Sequence, residues 1–209
     1  MTLTMESTSA ERIVEIREKQ RKYFHSGATL DVKARKAALK KFEQAVLKWE
    51  KPLCDALWAD LHKSYEEAYL TEISILLGEI RTHIRKIGKW TRPQRKCTPL
   101  KLFPSSSRIV SEPLGTALII SPWNYPVQLL LTPLVGAISA GCTAVLKPSP
   151  YGPTVSKVIE DMICDTFLEE YVAVTQGHRD VNGLLLEQRW DMIFFTGSPS
   201  LGRLVMASA

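Results

Sequence analysis

An amide, an ammonium and a glycine-serine turn each follow an apolar run of the chain. Groups of these kinds can bind a ligand at the end of a strand. Asn124 stands next to Trp123 in a turn with prolines on both sides, Lys147 follows the apolar run Thr-Ala-Val-Leu, and Gly197 and Ser198 precede a helix. A fixed primary amide can donate to a developing oxyanion, and a lysine ammonium can reach ribose or phosphate oxygens. A glycine turn at a helix start can receive a phosphate.

Each of these groups also has an ordinary structural explanation. Most lysines are simply exposed to water, and Trp123 could belong to the core. The run from Gly197 to Gly202 is neither Gly-x-Gly-x-x-Gly nor a Walker loop, so by itself it is equally well a tight turn. Taken singly, therefore, these residues do not identify a function.

The elements that must position these groups alternate between strands and helices after residue 107. We predict strands at 108–111, 116–121, 143–146, 171–175 and 192–195, and helices at about 127–140, 154–167, 181–187 and from 199. This alternation predicts an α/β fold with a doubly wound parallel sheet, Rossmann-like and covered on both faces. Ligands in such sheets bind at the carboxyl ends of the strands, where the three polar groups fall.

The first part of the chain is predicted to be helical. Asp31 can cap a helix that continues to about Trp49, and Ser64 with Glu67 fits a capping box. The box introduces a helix of about two dozen residues with one buried face. Its apolar seam steps by three and four residues: Leu70, Ile73, Leu77, Ile80, Ile84 and Ile87. We therefore divide the chain into a helical region, 1–101, and an incomplete dinucleotide-binding α/β region, 102–209, joined by a connector at 90–107.

Charge and cysteine content argue against several classes of function. The net charge is +5, and residues 1–101 hold 21 Lys and Arg against 13 Asp and Glu. The basic residues are spread among glutamates at helical spacing, which is typical of a solvated helix surface and not of a nucleic-acid interface. The four cysteines form neither a disulfide framework nor a zinc site. With no signal sequence and no membrane-length apolar run, we expect a cytoplasmic protein.

The combination of segments is more specific than any one of them. Four runs occur in the order and approximate spacing of the aldehyde dehydrogenase superfamily: Glu112-Pro-Leu-Gly115, Pro122-Trp-Asn-Tyr-Pro126, Gly141-x-x-Ala-Val-Leu-Lys-Pro-Ser149 and Phe195-Thr-Gly-Ser198. The run Glu67-Ala-Tyr-Leu-Thr-Glu-Ile-Ser74 is similar to the class 3 type. The chain therefore most resembles class 3, over nearly its whole length.

The resemblance implies oxidation of aldehydes to carboxylic acids with NAD or NADP. A cysteine thiolate attacks the aldehyde, Asn124 helps to hold the oxyanion, and a glutamate activates the hydrolytic water. The resemblance places Lys147 at the adenosine ribose and Ser198 at the pyrophosphate. The full cofactor-binding set that it implies is Ile120, Ser121, Trp123, Lys147, Ser149, Gly197, Ser198 and Leu201. A small aldehyde is the implied substrate, the complete enzyme is expected to be a homo-oligomer, and neither a metal nor a nucleic acid is expected.

Two departures from the family pattern change these expectations. Pro150 stands where NAD-preferring relatives often have a glutamate, so NADP becomes more admissible. The family's nucleophilic cysteine and base glutamate have no counterpart in the 209 residues, so we expect the amino-terminal portion of an enzyme, inactive by itself. The alternatives are a non-catalytic nucleotide-binding or decoy subunit, a basic nucleic-acid binder, and an acylating or acyl-phosphate-reducing relative.

Overall fold

The structure, a computed structural model, describes residues 7–209. The first six residues, on which part of the argument about a signal sequence rests, lie outside the described residues. In chain order the elements are α1 (Ala10–His25), α2 (Val32–Lys48), α3 (Glu50–Leu61), α4 (Tyr65–Ala68), a π-helical turn (Tyr69–Ile73), α5 (Ser74–Trp90), β1 (Gln94–Lys96), a 3₁₀ turn (Leu100–Leu102), β2 (Ser107–Ile109), β3 (Thr116–Ile120), α6 (Pro126–Ala140), β4 (Thr143–Lys147), α7 (Pro153–Thr166), β5 (Val172–Val174), α8 (Arg179–Leu186), β6 (Met192–Phe195) and α9 (Pro199–Ser208).

Four strands form the parallel sheet that the sequence predicts. Their order is β5-β4-β3-β6, so the first strand of the sheet lies between the second and the fourth. This is the strand order of one half of a Rossmann fold, and it places a topological switch point between β3 and β6. The fold class, a helical region followed by a doubly wound α/β sheet, is confirmed.

Alternate residues of the central strands pack on opposite faces of the sheet. Ile119 and Leu146 belong to a large apolar core with α2, α3, α5, α6 and α7, whereas Leu118, Ile120 and Val145 face a smaller core. Residues of α1 and α8, among them Ile13, Ile16, Val181 and Leu185, complete the smaller core. Because side chains alternate with a period of two along a strand, apolar residues at every position mean that both faces are covered.

The edge strand β6 departs from this pattern. Met192 and Phe194 are exposed, although we expected the strands to be covered on both faces. β6 lies at the end of the strand order and pairs only with β3 among the described strands. Helix α9, which follows it, buries none of its residues. The apolar composition of β6 is therefore not matched by burial in these 209 residues.

The long amphipathic helix is present, but its seam begins later than predicted. Ser64 accepts a hydrogen bond from the N–H of Glu67, which confirms the cap, and Ile73, Leu77, Ile80 and Ile87 are buried. Leu70 is 65% exposed, so its place in the seam was wrong. The π-helical turn at Tyr69–Ile73 widens the helix at this point and rotates the residues before it relative to those after it. The predicted connector also contains β1, which pairs with β2 in antiparallel register.

Candidate active site

The carboxyl ends of three neighbouring strands bring most of the predicted site residues to one edge. Ile120 pairs in register with Lys147 on one side and with Phe195 on the other. Just beyond this row, the N–H of Ser121 donates to the carbonyl of Lys147 (3.2 Å), and the N–H of Thr196 donates to the carbonyl of Ile120 (3.1 Å). We call the carboxyl ends of β3, β4 and β6 the site edge. It lies at the topological switch point, where doubly wound sheets bind ligands.

Lys147 is enclosed by the protein. Its side chain is 1% exposed, and its Nζ donates to the carbonyl of Pro148 at 2.7 Å. Burial lowers the pKa of Lys147 to about 8, and the negative charge of Asp180 opposes that shift. The ordinary explanation, a strand-end lysine in water, is therefore excluded. Its ammonium is enclosed by the protein and is not exposed at the end of the strand.

Two buried serines at the site edge differ in how their hydroxyls are used. The hydroxyl of Ser121 has no hydrogen-bond partner among the described residues, although it is buried. The hydroxyl of Ser149 accepts from the N–H of Tyr151 (3.4 Å), and the carbonyl of Ser149 accepts from Ser156 Oγ (2.9 Å). Ser149 therefore shapes the turn before α7, whereas Ser121 presents an unused polar atom. Most buried polar atoms have a partner, so an orphaned one points to a ligand or water.

The amino end of α9 forms the third part of the site edge. Ser198 is its N-cap, and the Ser198 hydroxyl accepts from the N–H of Leu201 at 3.4 Å. Ser198 and Leu201 are exposed, and so is Gly197. A Cβ at Gly197 would lie 2.4 Å from the ring of Phe195, so only glycine lets the turn pass over that ring. The helix end thus presents backbone N–H groups at the surface, in the arrangement that binds phosphates.

The predicted oxyanion donor lies in the loop between β3 and α6. We call residues 121–126 the Asn124 loop. Trp123 is 52% exposed, which excludes a core role, and Asn124 is exposed beside it. The backbone carbonyl of Asn124 accepts a hydrogen bond from Lys63 Nζ at 2.8 Å, and the same Nζ lies 3.9 Å from the centre of the Tyr125 ring.

A buried ion pair, which the sequence analysis missed, supports this loop. Lys63 Nζ lies 2.7 Å from Glu72 Oε1, and the Glu72 side chain is completely buried. The other oxygen, Oε2, accepts from the backbone N–H groups of Val127 (2.8 Å) and Gln128 (3.2 Å). A signal was present in the sequence: α6 begins at Pro126 without a Ser, Thr, Asp or Asn cap, so its first N–H groups needed a partner from elsewhere.

The site edge fits a dinucleotide. It offers a buried ammonium with one backbone acceptor, an orphaned serine hydroxyl one residue beyond the neighbouring strand, and a helix amino end. These groups suit, respectively, the hydroxyls of a sugar, the oxygens of a phosphate, and a diphosphate.

The four cysteines offer no activated thiol at the site edge. Burial raises the pKa of Cys54 to about 11 and also raises the pKa of Cys164, so both are protonated at neutral pH. Cys142 is buried just before β4, at the opposite end of that strand from Lys147, and Cys97 is exposed just after β1. The thiols of Cys54 and Cys164 are therefore poor nucleophiles, because the thiolate is the reactive form.

Residues 7–209 show neither a metal site nor a membrane-spanning helix. They contain no group of three or more His, Cys, Asp or Glu side chains arranged to hold a metal ion. None of the described helices combines the length and the apolar character needed to cross a bilayer.

Sequence comparison matches the chain to one protein family and to several individual proteins. The family model described as "Aldehyde dehydrogenase family" matches residues 1–209. The chain is 42% identical over 187 residues to 4,4'-diaponeurosporen-aldehyde dehydrogenase of Staphylococcus aureus, covering 90% of this chain and 41% of that protein. It is 38% identical to aldehyde dehydrogenase family 3 member F1 of Arabidopsis thaliana (98% and 42% covered) and 40% identical to family 3 member B1 of Homo sapiens (90% and 40% covered).

Solved structures give the same result for the fold. A substrate-bound structure of Staphylococcus aureus AldH superimposes with a TM-score of 0.91 at 40% identity, covering 94% of this chain and 43% of that one. A betaine aldehyde dehydrogenase of Staphylococcus aureus in complex with NAD+ gives 0.84 at 22% identity (97% and 41% covered). The chain thus spans about two fifths of the length of the relatives that it matches.

Proposed function

This chain belongs to the aldehyde dehydrogenase family, and on that premise we propose that it is the cofactor-binding part of an NAD(P)-dependent enzyme that oxidises aldehydes to carboxylic acids. The observation that carries the proposal is the buried Lys147 at the end of β4, in register with Ile120, together with the buried, unpartnered hydroxyl of Ser121 one residue beyond the end of β3. A buried charge and an orphaned hydroxyl both destabilise the fold unless a ligand uses them. A family that binds a dinucleotide supplies the reason for keeping them.

Each site residue has a distinct role in this proposal. Lys147 binds the sugar hydroxyls, and the Ser121 hydroxyl is available to a phosphate oxygen. Ile120 and Trp123 line the cleft, and Ser149 shapes the turn before α7. Gly197, Ser198 and Leu201 present the amino end of α9 to the diphosphate. When bound, the dinucleotide supplies the hydride acceptor. The side-chain amide of Asn124 donates to the oxygen of the aldehyde as negative charge develops on it.

The thiol and the base of the reaction are not assigned to any of the 209 residues. The pKa values of Cys54 and Cys164 are raised, Cys142 is buried, and Cys97 lies in the β1–β2 hairpin. A nucleophile, a base and an oxyanion donor act as a unit, so the loss of two of them should abolish turnover. We therefore expect the 209-residue polypeptide by itself to convert no aldehyde in the presence of NAD or NADP. Product formation above a blank without protein would refute this expectation.

Cofactor preference follows from the side chain at position 150. Pro150 follows Ser149 in the loop after β4 and carries neither an acceptor for ribose hydroxyls nor a charge that repels a 2′-phosphate. We expect NAD and NADP to bind with affinities within about tenfold of each other, which corresponds to about 1.4 kcal/mol. Parallel calorimetric titrations of the same sample test this, and a much larger preference in either direction would contradict it.

Dinucleotide binding is the direct test of the proposal. We expect saturable binding to the 209-residue chain with a Kd between about 1 μM and 1 mM, the usual range for substrates and cofactors. Lys147→Met should weaken it by about 10- to 100-fold, because a hydrogen bond to a charged group contributes about 1.5–3 kcal/mol. Lys51→Met is the matched control, since Lys51 is exposed and pairs only with Asp55 within α3. Equal affinities of the parent and Lys147→Met would refute the assigned role.

The remaining assignments stay part of the proposal. These are the division of the chain into regions 1–101 and 102–209, a homo-oligomeric state of the complete enzyme, a small aldehyde as substrate, and a cytoplasmic location. A stable, monodisperse chain that binds dinucleotide with a Kd well below about 1 μM would instead support the non-catalytic or decoy subunit.

A further inference from the structure

We propose that Lys63 and Glu72 are positioning residues that fix the Asn124 loop and the start of α6, so that the Asn124 amide meets the oxyanion in one geometry. This role rests on the proposed function, because the orientation of Asn124 matters only where its amide binds a reacting oxygen.

The two residues bind each other and connect the helical region to the Asn124 loop by two contacts and to α6 by two more. Lys63 Nζ contacts Glu72 Oε1 (2.7 Å), the carbonyl of Asn124 (2.8 Å) and the face of Tyr125 (3.9 Å). Glu72 Oε2 accepts from the N–H groups of Val127 and Gln128. The pair therefore binds the chain at Asn124 and again three and four residues later. A loop held at Asn124 and again directly after its last residue has little freedom at the residue whose side chain does the chemistry.

The local sequence explains why the loop requires this support. α6 begins at Pro126, and its N-cap residue, Tyr125, makes no capping hydrogen bond through its side chain. The helix amino end attracts negative charge, which Glu72 supplies from another element. The π-helical turn carries Glu72, and such turns are frequent at functional sites because they redirect single side chains.

The burial of the pair indicates that stability alone does not explain it. Glu72 is fully buried and Lys63 is nearly so, and replacing a buried ion pair by apolar residues is often neutral or stabilising. What apolar side chains cannot reproduce is a directed hydrogen bond to the Asn124 carbonyl and a cap on α6. Positional precision is valuable at this place, because a displacement of about 1 Å in a catalytic group can reduce a rate by about 100-fold.

The chain allows a direct test, because it contains only two asparagines, Asn124 and Asn182. Selective ¹⁵N labelling of asparagine gives one side-chain amide pair from each in the NMR spectrum, and Asn182 on α8 serves as an internal reference. In Lys63→Gln the two side-chain amide signals of Asn124 should change chemical shift or broaden, while those of Asn182 stay at their parent positions. Lys63→Arg keeps the charge and should restore part of the parent signal. Lys51→Gln, which breaks the exposed Lys51–Asp55 pair, should move neither.

Glu72→Gln tests the other half of the pair. An amide has a single acceptor oxygen, so it can serve Lys63 or the N–H groups of α6, but not both. We expect hydrogen exchange of the Val127 and Gln128 amides to become at least tenfold faster relative to the amides of α7 in the same sample.

The outcomes separate a positioning role from a merely structural one. If Lys63→Gln lowers the melting temperature but leaves the Asn124 pair at its parent position, the proposal is overturned. If Lys63→Gln does not fold, Glu72→Gln decides: a displaced Asn124 pair together with faster exchange at Val127 and Gln128 supports the proposal, and an unchanged Asn124 pair overturns it. A parent chain that binds no dinucleotide would contradict the proposed function and leave the loop result to be judged separately.

Discussion

At the scale of single residues, Lys147 has opposing effects on stability and on binding. Its ammonium is removed from water and donates one hydrogen bond, to the carbonyl of Pro148. Since its pKa is lowered to about 8, most of the population still carries the charge at neutral pH. The protein therefore keeps a costly buried charge at the site edge, as expected where function and stability compete.

The pH dependence of stability should reveal this cost. Lysine has a pKa of 10.5 when unperturbed, so between about pH 8 and 10.5 the unfolded chain holds a proton at Lys147 that the folded chain has released. The free energy of unfolding therefore rises with pH in this window, by about 3 kcal/mol from this group, and the penalty is complete below pH 8. Urea unfolding at several pH values measures it. Lys147→Met should be more stable at pH 7 and lack this rise, and an equal rise in the variant would contradict the assignment.

The sequence predicted the site residues that directly follow a strand. It did not predict the residues that support the site from another region of the chain. Lys147 and Ser121 stand at the ends of unmistakable apolar strands, and the strand order brings them together. Lys63 and Glu72 lie in the helical region and contact residues more than 50 positions away. Burial could not be predicted from residue type either, because lysine is almost never enclosed as Lys147 is.

At the scale of elements, helix ends were the most predictable features. Asp31 and Ser64 cap α2 and α4 as expected, because a short polar side chain before an amphipathic run has few other uses. The π-helical turn was not predictable, because the spacing of apolar residues by three and four does not show where a helix widens by one residue. From Ile73 onward the residues of the apolar seam lie on one buried face of the helix, as predicted, because no further irregularity interrupts the helix after the turn.

The Ser64 cap can be measured independently of the site. Ser64→Ala leaves the N–H of Glu67 without its acceptor, and we expect a loss of about 1 kcal/mol in the free energy of unfolding. Ser74→Ala is the control, because the Ser74 hydroxyl only bonds back to the carbonyl of Leu70 within the helix. Its effect should stay within about 0.5 kcal/mol. Equal losses in the two variants would show that the cap contributes nothing specific.

Helix α9 should contribute little to the stability of this polypeptide. Leu204 is exposed on α9, whereas Leu134 on α6 is completely buried in the large core. We expect Leu204→Ala to change the free energy of unfolding by less than about 0.5 kcal/mol and Leu134→Ala to lower it by about 2–5 kcal/mol. Chemical denaturation of the two variants decides, and a large loss in Leu204→Ala would mean that α9 is packed more tightly than the structure describes.

At the scale of the whole molecule, the predicted boundary at residue 101 crosses a continuous core. Ile80 and Leu57 from the helical region and Ile119 and Leu146 from the sheet belong to the same apolar cluster. The helical region also covers the second face of the sheet, where α1 contacts β3 and β4. The sequence divides into regions of different composition, but side chains from both regions are buried against one another.

A shared core predicts that the two regions unfold together. We expect one cooperative transition for the 209-residue chain, with the calorimetric and van't Hoff enthalpies equal. Ile80→Ala and Leu146→Ala, one from each region, should each lower the free energy of unfolding by about 2–5 kcal/mol and move the same single transition. Far-ultraviolet circular dichroism follows mainly the helices, whereas near-ultraviolet signals from the aromatic residues follow tertiary packing. Two separate transitions, one moved only by Ile80→Ala and the other only by Leu146→Ala, would show that regions 1–101 and 102–209 unfold as independent units.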